Sequence, residues 1–305
     1  MSIPPLTTTT ADRGRTNGAP PSARLRRRLV GPAWGLVPFL AYLLLFLVVP
    51  AISVFVDALR TEDGVSLSAM GEAASGQNRA ALLFSVTFSA GAALVGVVVG
   101  ALLAYAAASL ERPRWLRTAV TSFSGVAANM GGLPLAFAFL TLLGRQGILT
   151  KILSTMGWDL YAGDFELGSV PGLITVYSYF NIPLMVLVTL PAIDGLRPAW
   201  REACSSLGGT GFTYWRRIGL PVLTPSLLGG FMLLFANSFS AYATAAVLTD
   251  NSKIIARRIG FFLGGDVSIG EDAVGFALAS WMIIITATAM AIYWIARRRS
   301  ERWTA

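Results

Sequence analysis

The sequence predicts an all-α integral membrane protein with six transmembrane helices. Of its 305 residues, 54% are hydrophobic and only 13% are charged, whereas soluble domains carry about a quarter charged residues. Six apolar runs reach the ~20 residues that a helix needs to cross a bilayer. They lie at about 33–56, 82–109, 118–143, 169–191, 220–248 and 273–296. Composition and run length together exclude an ordinary soluble enzyme.

The distribution of charge orients the six predicted helices. With the N-terminus placed in the cytoplasm, the inner segments hold 17 Lys and Arg against 5 Asp and Glu, and the outer segments hold 7 against 11. Positive residues favour the cytoplasmic side of membrane spans. We therefore expect both termini in the cytoplasm, and we attribute the net charge of +8 to topology rather than to nucleic-acid binding.

Residues 1–32 are predicted to be a disordered basic cytoplasmic tail, because Thr, Gly, Pro, Ser and Arg predominate and apolar periodicity is missing. Four arginines between positions 24 and 28 precede the first apolar run, as in the basic region of a signal peptide. That run is longer than the apolar segment of a signal peptide. We therefore expect an uncleaved first helix, and a second basic cytoplasmic tail at 297–305.

The third, fourth and fifth runs carry most of the polar character of the spans. Pro134 and Pro183 are expected to kink their helices, because proline removes a backbone hydrogen bond. An amide in lipid needs a hydrogen-bond partner, and two uses stay open for each polar residue: contact between helices, or the lining of a solute path. The candidates for the path are Asn129, Asn181, Asn237 and Ser240. Glycines such as Gly96 and Gly100 are interpreted as sites of close helix packing.

None of the six predicted spans contains Asp, Glu, Lys or Arg. Carriers driven by a proton or sodium gradient usually need such a residue within the membrane, so uphill transport would draw its energy from another protein. Histidine is missing and Cys204 is the single cysteine, which excludes a Ser–His–Asp set, an internal disulfide and a Cys/His metal site. No Walker-type phosphate loop occurs. We expect no catalytic residue, metal or cofactor, and hence no enzyme.

The segment between the fourth and fifth runs carries the start and stop signals of a separate short helix. Pro198 suits the first turn of a helix, and Gly208 with Gly209 suits its end. An apolar stripe recurs at helical spacing, formed by Leu196, Ala199, Trp200, Ala203, Cys204 and Leu207. We expect a short cytoplasmic helix over about 198–209 whose small central residues let it lie against a groove in another protein.

This segment resembles the cytoplasmic motif of importer-type ABC transporter permeases, E-A-A, three residues, G, nine residues, I-x-L-P. The matching residues are Glu202, Ala203, Cys204, Gly208, Ile218, Leu220 and Pro221, with Cys204 in place of the second alanine. The resemblance implies a coupling helix that docks in the ATP-hydrolysing subunit, with the last three residues anchoring its exit into the fifth helix. It also implies a type-1 importer transmembrane domain over 79–296, preceded by a first helix and outer loop over 33–78.

The resemblance implies the partners as well. They are a cytoplasmic ABC ATPase dimer, a second permease subunit (identical or sister), an extracytoplasmic solute-binding protein and the lipid of a prokaryotic plasma or inner membrane. The stretches 35–50, 129–147 and 184–197 look most like the spermidine/putrescine, aminoalkylphosphonate and iron branch, so a polyamine or similar aminoalkyl solute is expected. Iron or sugar importers are the alternative within the family. An ATP-independent membrane carrier or a membrane enzyme is the alternative from another class.

Overall fold

The computed structural model describes residues 34–61, 64–109, 114–163, 165–249, 253–264 and 272–301. The predicted N-terminal tail over 1–32 lies outside the described residues, as do positions 302–305 of the predicted C-terminal tail. The chain divides into two compact units, Met1–Ser53 and Val54–Ala305, and each is described by itself.

The first unit is helical throughout its described part. A 3₁₀ turn at Trp34–Leu36 leads into α1 (Val37–Leu43), a π-helical turn at Leu44–Val48, and α2 (Val49–Leu59), whose last residues belong to the second unit. A proline lies in the first turn of α1, where its missing N–H leaves no helical hydrogen bond unmade.

The second unit opens with a two-residue antiparallel strand pair, β1 (Arg60–Thr61) and β2 (Gly64–Val65). The helices follow in the order α3 (Ser68–Ala73), α4 (Gly76–Ala108), α5 (Arg114–Asn129), α6 (Leu133–Leu143), α7 (Ile148–Thr155), α8 (Val170–Asp194), α9 (Pro198–Ser206), α10 (Gly211–Tyr214), α11 (Leu220–Ser240), α12 (Ala243–Leu248), α13 (Ile255–Leu263) and α14 (Asp272–Glu301). A π-helical turn at Trp215–Gly219 joins α10 to α11.

Six helical stretches among the described residues are long and apolar enough to cross a membrane. They are Val37–Leu59, Gly76–Ala108, Leu133–Thr155, Val170–Asp194, Gly211–Ser240 and Asp272–Ile295. The predicted all-α class with six transmembrane helices is confirmed. The last helix continues to Glu301, so part of the predicted C-terminal tail is helical.

Close packing of α4 against α8 forms the centre of the second unit. A Cβ atom added to Gly96 would lie 2.9 Å from the Cβ atom of Asn181. One added to Gly100 would lie 2.6 Å from the Cβ atom of Met185 and 2.7 Å from the carbonyl oxygen of Ile182. The two helices approach this closely because both glycines lack a side chain, which confirms their interpretation as packing residues.

The prediction that 118–143 forms a single kinked helix is wrong. The chain breaks between α5 and α6, and Gly132 there has φ +75°. Gly132 is the N-cap of α6, and its positive φ suits glycine, which has no Cβ atom. Pro134 therefore lies in the first turn of α6 and not inside a helix. In contrast, α8 continues through Pro183 as one helix.

The fifth predicted helix, 220–248, differs at both ends. The π-helical turn carries the helix back to Gly211, so the described stretch is continuous over Gly211–Ser240. At the other end Ala241 adopts an extended conformation, with φ −71° and ψ 109°, and the chain resumes as α12. A second helix break therefore lies at Ala241–Tyr242, where the apolar pattern of the sequence shows no interruption.

Candidate functional site

The short helix predicted between the fourth and fifth spans is present as α9. Pro198 occupies its first turn, and Arg197 before it has an extended backbone. The guanidinium of Arg197 lies over the ring of Trp200, 5.9 Å from its centroid. The helix ends at Ser206, a little before the predicted end at 209.

Two glycines end α9. The N–H of Gly208 donates to the carbonyl of Ser205 at 3.0 Å, and the N–H of Gly209 donates to the carbonyl of Cys204 at 2.9 Å, the Schellman pattern. Gly208 has φ +77°, and a Cβ atom added to Gly209 would lie 2.6 Å from Sγ of Cys204. The first position needs glycine for its conformation and the second needs it for space. The predicted role of both residues as the helix stop is confirmed.

The surface of α9 and of the residues after it is open. Glu202 and Ala203 are exposed, and Cys204 is half-buried. Leu207 is 89% exposed and Phe212 is 75% exposed. Large apolar side chains grouped in the open are typical of surfaces that another protein or a membrane covers.

An open groove of about 580 Å³ lies between α9 and the beginning of α11. Trp200, Ala203 and Cys204 line one side, and Arg217 and Ile218 line the other. The structure thus brings together three residues of the predicted coupling set, Ala203, Cys204 and Ile218. The other four lie outside the lining: Glu202, Gly208, Leu220 and Pro221.

The exit from this segment is a helix rather than a loop. Thr210 caps α10 by accepting a hydrogen bond from a backbone N–H through its hydroxyl. A Cβ atom added to Gly219 would lie 2.7 Å from the ring of Trp215, so the π-helical turn closes tightly on that indole. Leu220 and Pro221 are the first residues of α11 and belong to the helix of the fifth span.

The four polar path candidates fall into two groups. Asn181 is fully buried, and its Nδ2 donates to Oγ of Ser238 at 2.9 Å, which joins α8 to α11. Asn129, Asn237 and Ser240 are exposed on the surface of the chain. Asn129 ends α5 just before the first helix break, and Ser240 ends α11 just before the second.

The two helix breaks face each other, which the sequence did not indicate. Oγ1 of Thr244 in α12 accepts from the N–H of Gly132 at 3.1 Å and donates to its carbonyl at 3.2 Å. The buried Tyr177 of α8 donates its hydroxyl to the carbonyl of Ala241 at 3.3 Å. These hydroxyls serve backbone groups that broken helices leave without helical partners. The two glycines before Leu133 were the sequence signal for the first break, and none marks the second.

The guanidinium of Arg257 contacts the C-terminal end of α12. Arg257 of α13 donates through Nη1 to the carbonyls of Ala246 and Thr249, at a helix end where carbonyls lack helical partners and a positive charge is favourable. Arg258 lies over the ring of Phe262, 5.6 Å from its centroid, and burial lowers the pKa of its guanidinium. Thr244 and Arg257 therefore fix α12 at both of its ends.

The segment between α7 and α8 is tied to the end of α6. Tyr161 donates its hydroxyl to the carbonyl of Leu143 at 2.7 Å, and Arg145 pairs with Glu166 at 3.0 Å. Burial raises the pKa of Tyr161, an effect that the charge of Arg145 opposes. The ion pair is exposed, so it adds little to stability.

Comparison with known families decides the class. Residues 96–302 match the family described as the binding-protein-dependent transport system inner membrane component. The chain belongs to this family. As such a component with six apolar helices, it is a multi-pass inner-membrane protein of a prokaryote and a transport subunit, not an enzyme.

Individual relatives of this inner-membrane component extend the match. The sulfate transport system permease protein CysW of Synechocystis is 22% identical over 261 residues, which cover 86% of this chain and 91% of that protein. The probable sulfate transport system permease protein cysT of Nephroselmis olivacea is 26% identical over 233 residues, covering 74% and 75%. A bacterial ABC transporter involved in alginate import shares the fold, with 20% identity, a TM-score of 0.70 and coverage of 93% and 99%.

These findings confirm the importer-type ABC permease subunit expected from residues 202–221, and they do not favour an ATP-independent carrier or a membrane enzyme. They do not confirm the polyamine branch. Both of the relatives described above are named for sulfate.

Proposed function

We propose that this ABC importer permease passes a small oxyanion, with sulfate as the first candidate, and that α9 couples it to a cytoplasmic ATPase. The observation that carries the coupling proposal is an exposed helix between the fourth and fifth spans, ended by a glycine at φ +77°. It stands in a chain whose family requires partner proteins for transport.

The chemistry of α9 supports a docking role. Ala203 and Cys204 are small, so a partner can approach the helix backbone closely. Leu207 and Phe212 present exposed apolar area, and Glu202 presents a charge beside it. Apolar area supplies binding free energy in proportion to what is covered, and the charge selects orientation.

The connections of α9 support the transmission of movement. Only the short linker 195–197 separates it from α8, so a displacement of α9 pulls on the fourth span. On the other side the helix over Gly211–Ser240 is continuous into the fifth span. Ile218, Leu220 and Pro221 lie in that helix and would act by carrying the displacement rather than by touching the ATPase.

The proposed assembly has two cytoplasmic ATPase subunits, a second permease (identical or sister) and an extracytoplasmic binding protein, with 79–296 as its type-1 transmembrane domain. The excess of positive residues in the inner segments supports cytoplasmic termini and a cytoplasmic α9. Asn129, Asn237 and Ser240 would line the route between the two permeases, because exposed amides and hydroxyls are unfavourable against lipid. Asn181 would serve helix packing instead.

The side chains of α5, α8 and α11 favour an oxyanion over a polyamine. Apart from two arginines near the start of α5, their polar groups are hydroxyls and amides, and their one carboxylate, Asp194, lies at the end of α8. Hydroxyl and amide groups donate hydrogen bonds to an oxyanion, whereas the ammonium groups of a polyamine call for carboxylates. The sulfate names of the two relatives described above point the same way.

Uptake of labelled sulfate tests the solute. Proteoliposomes holding this chain with a candidate ATPase and binding protein should accumulate sulfate when ATP is supplied inside them. Excess unlabelled sulfate should abolish the signal, and spermidine or ferric ion should not. Accumulation of spermidine instead would overturn the oxyanion and restore the polyamine expectation.

Labelling of Cys204 tests the coupling helix and the topology. The thiol lines the open groove beside α9 and is half-buried, so a reagent can reach it. A membrane-impermeant maleimide should modify it in inverted vesicles but not in intact cells, and the ATPase should protect it. Modification from outside the cell would refute the orientation, and labelling that the ATPase leaves unchanged would refute docking at α9.

A further inference from the structure

Helix α5 packs along α8, the helix of the fourth candidate span. One end is fixed to α8 by the ion pair of Arg117 with Asp194, and the other by the Tyr179 hydroxyl, 3.9 Å from Sδ of Met130. These contacts lie 13 residues apart between Arg117 and Met130, the residue after α5, and 15 apart on α8, about 20 Å in each. Between them Val120 packs on the buried cluster of Val186 and Leu190.

The open surface of α5 divides into two parallel strips. The polar strip consists of Thr118, Ser122, Gly125 and Asn129, and the apolar strip of Ala119, Phe123, Val126 and Met130. Each strip has spacings of four, three and four residues, so each follows one line along the helix. The three hydrogen-bonding members of the polar strip are exposed, as are all four of the apolar strip.

The two strips meet different surroundings. Ala119 and Phe123 border an apolar cavity of about 630 Å³ whose far side includes Leu103 of α4 and Ile182 of α8. Thr118, Ser122 and Asn129 line no part of that cavity. One amide N–H of Asn129 donates to the carbonyl of Gly125 at 2.8 Å, which leaves its other N–H and its oxygen to be satisfied. Exposed polar groups are unfavourable in hydrocarbon, so lipid suits the apolar strip and water suits the polar one.

We infer that the polar strip of α5 is a water-exposed wall of the solute route. It runs from the Arg117–Asp194 pair to the break at Gly132 and holds the oxyanion by hydrogen bonds in place of its hydration shell. This inference rests on the proposed function and adds Thr118 and Ser122 to the residues that the solute meets. The occupant is water with a small hydrophilic ion, and the apolar strip next to it faces hydrocarbon.

Single cysteines at neighbouring positions test this assignment. Thr118→Cys and Ser122→Cys probe the polar strip, and Ala119→Cys and Phe123→Cys are their matched controls on the apolar strip. The complete transporter in inverted vesicles is treated with a charged, water-soluble methanethiosulfonate, with and without ATP. Tryptic fragment 118–145 separates these thiols from Cys204, which lies in fragment 202–216, so labelling of Cys204 is counted apart.

The polar-strip thiols should react about tenfold or more faster than their controls, because the thiolate is the reactive form and a thiol in hydrocarbon stays protonated. Equal rates in the two strips, or unreactive thiols at 118 and 122, would overturn the inference. ATP-driven release of labelled sulfate, sealed into the same vesicles with the binding protein, separates the two proposals, because an importer moves solute out of an inverted vesicle. Release with an unreactive polar strip refutes only the strip, whereas a reactive strip without sulfate release supports the strip and refutes only the solute.

Discussion

At the scale of single residues, glycine is required at several positions in this chain, for two different reasons. Gly208 is needed for its backbone conformation, since φ is +77° and an added Cβ atom would meet no neighbour. Gly96 and Gly100 are needed for space, since α8 passes where their side chains would be. The two kinds respond differently to substitution.

Replacing Gly208 tests the conformational requirement. Gly208→Val should unwind the end of α9 and sharply reduce uptake, because a left-handed conformation is unfavourable by about 1–2 kcal/mol for residues with a Cβ atom. Gly208→Asn is the control, since asparagine tolerates that conformation. Uptake and co-purification of the ATPase are the measurements. Equal uptake by the two variants would contradict the role assigned to the Schellman turn.

Replacing Gly100 tests the space requirement. Gly100→Leu should force α4 from α8 and lower the free energy of unfolding by about 1–3 kcal/mol, as overpacking does. Val99→Leu on the same helix is the control, because Val99 is already 37% exposed. Thermal stability in detergent, followed by size-exclusion chromatography, measures the effect. A melting temperature for Gly100→Leu equal to that of the control would refute the close contact.

At the scale of elements, two helix breaks face each other in the second unit. The breaks at Gly132 and Ala241 interrupt spans that the apolar pattern makes continuous, and hydroxyls from Thr244 and Tyr177 satisfy the freed backbone. Short helix α12 is held by Thr244 at one end and by Arg257 at the other. A segment held at two points by hydrogen bonds can be released at either, which suits a part that moves during transport.

Removing the Thr244 hydroxyl should loosen this arrangement. Thr244 is 2% exposed, so Thr244→Val keeps the volume but leaves the N–H and carbonyl of Gly132 without that partner, a loss of about 1–3 kcal/mol. Thr244→Ser retains the hydroxyl and should behave like the parent. Thermal stability and sulfate uptake are compared for the pair. A Val variant as stable as the Ser variant would show that the breaks are satisfied in another way.

At the scale of the whole molecule, α9 connects two spans that reach the packed centre of the second unit. The fourth span ends a few residues before it, and the fifth begins with the helix over Gly211–Ser240. An intact helix transmits a displacement, whereas a helix with a hinge absorbs it. The proposed mechanism therefore requires the helix to be continuous through the π-helical turn.

Breaking that continuity should separate docking from transport. Arg216 is exposed in the π-helical turn, and Arg216→Pro should disrupt the helix there, since proline inside a helix is unfavourable by about 3 kcal/mol. The ATPase should still co-purify because α9 is unchanged, but uptake should fall. Arg216→Ala controls for loss of the charge. Uptake by the Pro variant close to that of the Ala variant would exclude transmission along this helix.

The sequence by itself determined the class, the number of spans, the short helix with its glycine stop and the family. Each follows from signals local in the chain: apolar run length, helical periodicity, and glycine spacing within residues 198–221. The helix boundaries were less accurate, because Gly131–Gly132 supports either a kink or a break, and the choice depends on what satisfies the freed backbone. That partner, Thr244, lies 112 residues away.

Tertiary structure alone decided which polar side chains are buried and which are exposed. Asn181 and Asn237 are equivalent amides in sequence, yet one is buried against Ser238 and the other is exposed, because only packing of α8 on α11 determines which face is covered. The same holds for the two strips of α5, most of which lies within the predicted third run, 118–143. Contacts of α5 with α8, and not composition, decide which faces of α5 are covered.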